Sequence, residues 1–382
     1  MKASALRELL KVATKPGVIS LGGGYPAPEC FPLDILDELT EIVIDKYGAK
    51  ALQYGPTEGF TPLREALVPH MQKRGFDVSV EDILITSGSQ GLLDAIGKIF
   101  ISKGDCVAVE APTYLGALQA FNAYEPAYIR MDTDNDGVKP ESVEEVLQKH
   151  PIKFIYLIPT FQNPTGRTIS LDRRKAIAEI IQRHDALVIE DDPYSDLRYR
   201  GSPVLPMKIL APDHVVYTST LSKVFAPGFR IGFCIAPEPI RRWLVLSKQG
   251  VDLHTSSYTQ ALAEVYISGG YLEKQLPKIV GIYKPKQGAM LQALENYFPE
   301  NFVWSRPEGG MFIWVEGPKG HDMESIYLKS VERSVAFVPG KAFFTQEGEG
   351  LETMRLNYTN TDRASIDKAI KILSEVIREE IR

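Results

Sequence analysis

Six short, almost wholly apolar runs punctuate the first two thirds of the chain: DILITSG (82–88), CVAVEAP (106–112), KFIYLIP (153–159), ALVIEDD (186–192), VVYTST (215–220) and RIGFCIA (230–236). Runs this short, without alternating polar positions, suit strands covered on both faces, as in a largely parallel sheet. Between them the apolar positions recur at helical spacing. Over 89–102, for example, Leu92, Leu93, Ile96, Ile99 and Phe100 fall on one stripe. This alternation predicts a three-layer α/β domain over residues 45–275. The pattern then changes. FVWSRPEGGMFIWVEG and TMRLNYT read as strands and RASIDKAIKILSEVIREEI as a closing amphipathic helix, so 276–382 is expected to form a smaller α+β unit. Residues 1–44 are expected to pack with that unit, beginning with a helix in which Leu6, Leu9 and Leu10 share an apolar stripe.

Composition narrows the function classes. The chain has 382 residues, 44% apolar and 24% charged, which is ordinary for a globular protein. Its net charge of −6 offers no basic surface for nucleic acid or an anionic membrane. No apolar stretch approaches the roughly 18 residues of a spanning helix, and the N-terminus lacks the continuous apolar core of a signal peptide. Cys30, Cys106 and Cys234 are odd in number and share no metal-ligand spacing, which favours a reducing cytoplasm. With six scattered histidines, no metal site is expected.

In open α/β sheets ligands bind beyond the carboxyl ends of the strands, so the residues there carry the functional reading. TSGSQG offers Ser89 and Gln90 at a helix start receptive to a phosphate. APTYLG places the ring of Tyr114 where it can lie on a flat ligand, and PTFQNPTG supplies Asn163. EDDPY brings Asp191 with Tyr194 three residues on; TSTLSK brings Thr220, Ser222 and Lys223, followed by Arg230. One at a time these are ordinary: Ser89 suits a helix N-cap, Tyr114 a core position, the acidic turn a solvated surface. Together they describe a ligand with a phosphate, a flat ring, a basic ring nitrogen, a phenolate oxygen and an aldehyde. Pyridoxal 5′-phosphate has all five.

NPTG, DDPY, TLSK and PGFRIGF together resemble the fold-type I, class I/II pyridoxal-phosphate-dependent aminotransferases. LQYGPTEGFTPLRE, ITSGSQG, KQGVDLHT, PEGGMFIW and VAFVPG extend the resemblance over nearly the whole chain, toward the 2-aminoadipate and kynurenine aminotransferase branch. The resemblance implies a large αβα domain with a mostly parallel seven-stranded sheet plus a smaller α+β domain. It implies that Lys223 bonds the cofactor aldehyde and shuttles protons, that Asp191 pairs with the ring nitrogen, and that Tyr194 and Asn163 hold the phenolate oxygen. Tyr114 would stack on the ring, and Ser89, Gln90, Ser222 and Arg230 would hold the phosphate. Thr220 keeps a hydroxyl where many relatives carry serine. Tyr54 matches a tyrosine that reaches the neighbouring subunit's phosphate, implying a homodimer with shared active sites. Arg355 resembles the arginine that grips the substrate α-carboxylate, with Asn163 beside it and Gly24 allowing close backbone approach; Arg7 is a candidate partner for a distal carboxylate.

The implied reaction is ping-pong transamination between an L-amino acid (2-aminoadipate, aromatic, branched-chain or glutamate) and a 2-oxo acid, with 2-oxoglutarate the expected acceptor. Two alternatives stand beside it. The same site chemistry runs C–S β-lyase reactions, and aminotransferase-like domains serve as sensors in transcription regulators. The latter carry a DNA-binding domain ahead of this one, for which residues 1–40 have neither length nor basic charge.

Overall fold

The computed structural model describes residues 17–381. All six apolar runs form strands: β1 (Ile83–Thr86), β2 (Cys106–Glu110), β4 (Ile152–Leu157), β5 (Val188–Asp191), β6 (Val215–Thr220) and β7 (Gly232–Ile235). A seventh, β3 (Ala127–Met131), joins β2 at the sheet edge. The sequence pattern does not single it out. As an edge strand it is mostly half-exposed and carries Arg130, so it lacks the apolar signature of strands covered on both faces.

The strand order is β1-β7-β6-β5-β4-β2-β3, with β7 antiparallel to both neighbours and every other pair parallel. Alternation along β4 builds two cores. Phe154 and Tyr156 pack on one face with Leu93, Ile96 and Phe121, while Ile155 and Leu157 pack on the other with Ile177, Ile181 and Val215. The helix Gly88–Phe100 buries Leu92, Leu93 and Ile96, the stripe read from the sequence.

The C-terminal part forms a four-stranded antiparallel sheet of β8 (Val303–Trp304), β9 (Phe312–Glu316), β10 (Val338–Pro339) and β11 (Thr353–Asn357), in the order β8-β9-β11-β10. The closing helix Arg363–Glu380 packs along the long helix Tyr271–Tyr297, which runs through position 275. Ile19–Ser20 pairs in parallel with Val335–Ala336, and the Asn357 N–H donates to Leu21 O at 2.7 Å. The segment from Ile19 to Leu21 is thereby stitched to the four-stranded sheet. Among the described residues no helix is long and apolar enough to cross a membrane.

Candidate active site

The carboxyl ends of β1, β5 and β6 deliver their turns to one cavity of about 130 Å³, lined by Ser89, Gln90, Tyr114, Ile158, Asp191, Pro193, Tyr194, Thr220, Ser222, Lys223, Pro227 and Arg230. At one end the chain leaves β1 through Ser87 and enters the helix at Gly88, whose φ is +72°. That φ favours glycine, and a Cβ there would lie 2.4 Å from Arg230 Nη2 and push the guanidinium aside. Arg230 is itself left-handed (φ +56°) and donates to Ser87 O at 3.3 Å, which holds its charge at the helix N-terminus. The Thr220 hydroxyl donates to Ile231 O (2.9 Å), accepts from the Ser222 N–H (3.2 Å) and lies 2.9 Å from Ser222 Oγ, bracing the turn that carries Lys223. The Gln90 side chain is less free than its sequence position suggests: its amide donates to Gly116 O at 2.7 Å, tying the helix to the turn after Tyr114.

Lys223 Nζ donates to Gly24 O at 3.0 Å. Burial, with Arg355 and Arg230 nearby, pushes its ammonium down to about 8, against the partial opposition of Asp191. The unfolded chain therefore holds this proton more tightly between about pH 8 and 10.5. Stability of the cofactor-free protein should rise across that window by at most about 3 kcal/mol on this account. Lys223→Met should flatten this part of the profile, as read by denaturant unfolding at pH 8 and 10.5. An unchanged slope would mean that the amine is not depressed.

Asp191 and Asp192 end β5 side by side with different surroundings. Asp191 is 1% exposed; its Oδ2 accepts from Tyr156 OH at 2.8 Å, while Oδ1 is buried with no partner among the described residues. Burial raises its carboxyl to about 7; Tyr156's hydrogen bond and Lys223 oppose the rise and Asp192 adds to it. Asp192 accepts from Arg74, Ser195 and Tyr217. These partners, Arg74 foremost, outweigh burial and hold it below the usual carboxylate range.

Arg355, buried on β11, lies between the rings of Phe312 (4.2 Å) and Phe343 (5.0 Å). Nη1 donates to Asn163 Oδ1 at 2.8 Å and Nη2 to Gly22 O at 2.7 Å, while Nε is buried without a partner. Burial lowers its guanidinium to about 10, so it stays charged at neutral pH. Asn163 in turn reaches Tyr194 OH at 3.4 Å, and burial raises that phenol far above its ordinary value, keeping it protonated. Arg355, Asn163, Tyr194, Lys223 and the Gly22–Gly24 segment thus form one connected set across the two sheets.

Tyr54 does not join this cavity. It is 79% exposed, and its ring lies edge-to-face with that of His254, centroids 5.7 Å apart. Arg7 lies outside the described residues. The sequence reading missed Tyr156, Arg74, Phe312 and Phe343. Tyr156 left one trace, a phenol inside an otherwise apolar run, which requires a buried partner without saying which.

The donor set fits pyridoxal 5′-phosphate. The orphaned Asp191 Oδ1 suits a protonated ring nitrogen, Lys223 an aldehyde, and Arg230 with the helix N-terminus a phosphate. Among the described residues no group of His, Cys, Asp or Glu side chains is arranged to hold a metal ion.

The chain belongs to the aminotransferase class I and II family, whose model matches residues 31–373. It is 47% identical over 390 residues to aromatic-amino-acid aminotransferase 1 of Thermococcus litoralis, covering 100% of this chain and 93% of that protein. Among solved structures it is similar to the Pyrococcus horikoshii kynurenine aminotransferase in complex with PMP, KYN and KYA (TM-score 0.96, 47% identity, covering 100% of this chain and 96% of that one). It is also similar to LysN, the α-aminoadipate aminotransferase of Thermus thermophilus complexed with N-(5′-phosphopyridoxyl)-L-leucine (TM-score 0.92, 37% identity, 100% and 96% covered). This chain is accordingly a pyridoxal-phosphate-dependent aminotransferase with the fold-type I architecture, acting on amino acids and 2-oxo acids. Neither the lyase nor the sensor reading is favoured by these relatives.

Proposed function

We propose that this aminotransferase takes amino groups from aromatic amino acids, kynurenine and 2-aminoadipate, with leucine and glutamate as further donors, and passes them to 2-oxoglutarate. The observation that carries the reading is the Arg355–Asn163 pair, joined at 2.8 Å beside Lys223. It offers a fork for an α-carboxylate and leaves the donor's side chain free to vary. The named activities of the relatives cover aromatic amino acids, kynurenine and 2-aminoadipate.

Each residue then has a task. Arg355 and Asn163 bind the α-carboxylate and orient Cα toward the Lys223 amine. With its proton affinity lowered to about 8, Lys223 is unprotonated in an appreciable fraction near neutral pH, takes the Cα proton and returns it one position away. Bound in the cavity, the cofactor supplies an aldehyde that bonds amines and a ring that draws electrons from Cα. Asp191 holds the ring nitrogen's proton; Tyr194 and Asn163 donate to the phenolate oxygen; Tyr114 covers the ring face. Ser89, the Gln90 backbone, Ser222 and Arg230 hold the phosphate, and Thr220 stiffens their turn. Gly24 brings its backbone, whose carbonyl accepts from Lys223 Nζ at 3.0 Å, close to the substrate. The large unit over 45–275 would carry the cofactor and the smaller unit over 276–382, with the N-terminal segment, the carboxylate grip.

Exposed Tyr54 supports a homodimer in which it reaches its neighbour's phosphate. The expected compartment is the cytoplasm. Arg7 is assigned to a distal carboxylate.

The test is spectroscopic. Phenylalanine, kynurenine, 2-aminoadipate, leucine and glutamate are each added to the loaded enzyme, followed by 2-oxoglutarate. Each proposed donor should convert the aldehyde form of the cofactor's absorbance to the amine form, and 2-oxoglutarate should restore it. Conversion by only one donor class would overturn the broad-donor reading.

A further inference from the structure

We propose that Arg74 is a positioning residue that neutralises Asp192, so that the other carboxylate of the buried pair, Asp191, is free to ionise against a group in the cavity. Asp191 is the last residue of β5 and Asp192 follows it in extended backbone, its N–H donating to Thr218 O at 2.8 Å, so their side chains leave on opposite faces of the sheet. Asp191 lines the cavity. On the other side Asp192 meets Arg74, which follows the helix Thr61–Lys73 and takes no part in lining that cavity.

The two carboxylates have unequal support. Among the described residues the Asp191 carboxylate has a single donor, Tyr156 OH. Asp192 Oδ2 accepts from Arg74 Nη2 at 2.6 Å, Tyr217 OH at 2.8 Å and Ser195 Oγ at 2.8 Å, and Oδ1 accepts from the Ser195 N–H at 3.2 Å. Arg74 also lies over the Tyr217 ring, at 5.8 Å. Two buried like charges one residue apart disfavour each other and titrate as a pair. Without a cation, the one charge that the pair holds most easily would go to Asp192, which keeps the Ser195 and Tyr217 donors. Asp191 would then retain its proton and offer a ring nitrogen no charge. With Arg74 in place the Asp192–Arg74 unit is locally neutral, and ionisation of Asp191 answers to what enters the cavity.

Other charged groups surround the pair. Asp196 and His70 lie near Arg74, Arg174 and Glu190 near Asp192, and Lys223 near Asp191. Among the described residues only Arg74, of these cations, hydrogen-bonds either carboxylate. Beside Arg74, Asp192 lies below the ordinary carboxylate value, while burial, with a smaller push from Asp192, holds Asp191 above it, so that Asp191 is the carboxyl left to answer a cation in the cavity.

The inference rests on Asp191 meeting the cofactor's ring nitrogen, and the experiment separates the two. Cofactor-free protein is titrated with pyridoxal phosphate over a pH series, with folding checked by circular dichroism. Arg74→Met should weaken binding at least about tenfold near neutral pH, with the deficit shrinking as pH rises and Asp191 ionises. Arg74→Met/Asp192→Asn should return affinity to within about threefold of wild type, because the competing acid is gone. A merely structural Arg74 would show no such rescue. A folded Arg74→Met that binds like wild type, or a double variant no better than the single one, overturns the proposal. If Arg74→Met does not fold, the double variant decides alone: near-wild-type affinity upholds the proposal and a tenfold or greater loss overturns it. An Asp191→Asn variant that binds as tightly as wild type overturns both Asp191's role and this one. Weak binding by Asp191→Asn alongside normal binding by Arg74→Met overturns only this one.

Discussion

Lys223→Ala is expected to lower kcat by at least about 10⁴-fold, because a positioned general base alone contributes about 10²–10⁴ and covalent attachment adds to it. Among the described residues no nearby group is placed to substitute. The Arg355 guanidinium, lowered only to about 10, stays charged near neutral pH and cannot accept the Cα proton there. The fold should be unaffected. The turn is braced by Thr220 through the Ser222 N–H and Ile231 O, and the lysine contributes one hydrogen bond, to Gly24 O. Steady-state rates and the visible absorbance of lysine-bound cofactor provide the check. Both should vanish while circular dichroism stays as in wild type. Residual activity above about 1% would remove Lys223 from the chemistry.

Arg355→Leu carries the second large effect. The guanidinium is buried against two phenyl rings, so a substrate carboxylate arriving there is desolvated, and the other cation of the connected set, Lys223, is committed to the reaction centre. Truncating one side of such a pair costs about 2–5 kcal/mol, so kcat/KM should fall about 10²–10³-fold. Arg355→Lys should rescue little of it, since a point-charge ammonium cannot give Asn163, Gly22 and the carboxylate a planar fork together. The loss should appear mainly in KM and be equal for glutamate, leucine and phenylalanine, because each carries the same α-carboxylate. Kinetics on the three donors measure this. A loss confined to glutamate would instead place Arg355 at the distal carboxylate.

The site was legible in the sequence to the extent that chemistry is carried by strand ends. Asp191, Tyr194, Lys223, Ser222, Thr220, Tyr114 and Ser89 follow apolar runs closely, and once those runs lie parallel in one sheet their ends converge. Arg355 sits 132 positions from Lys223 in the numbering and on another sheet, so only motif resemblance connected it to the site. Gln90 was legible as a residue at the cavity, but the partner of its amide was not, because Gly116 O lies at the start of a different helix.

What the sequence by itself determined is the set of elements whose signals are local. The six covered strands, the stripe of the helix Gly88–Phe100 and the closing helix Arg363–Glu380 all follow from spacing and burial along a short stretch of chain. The edge strand Ala127–Met131 was lost because half-exposed strands dilute that signal. Tertiary structure alone decided the electrostatics. Asp191 and Asp192 are identical neighbours in the chain, and only the side of the sheet that each faces makes one the partner of Arg74 and leaves the other an unpaired oxygen in the cavity. Charge interacts through space with whatever the fold brings near, from 118 positions away in the case of Arg74 and Asp192, so no local pattern encodes it.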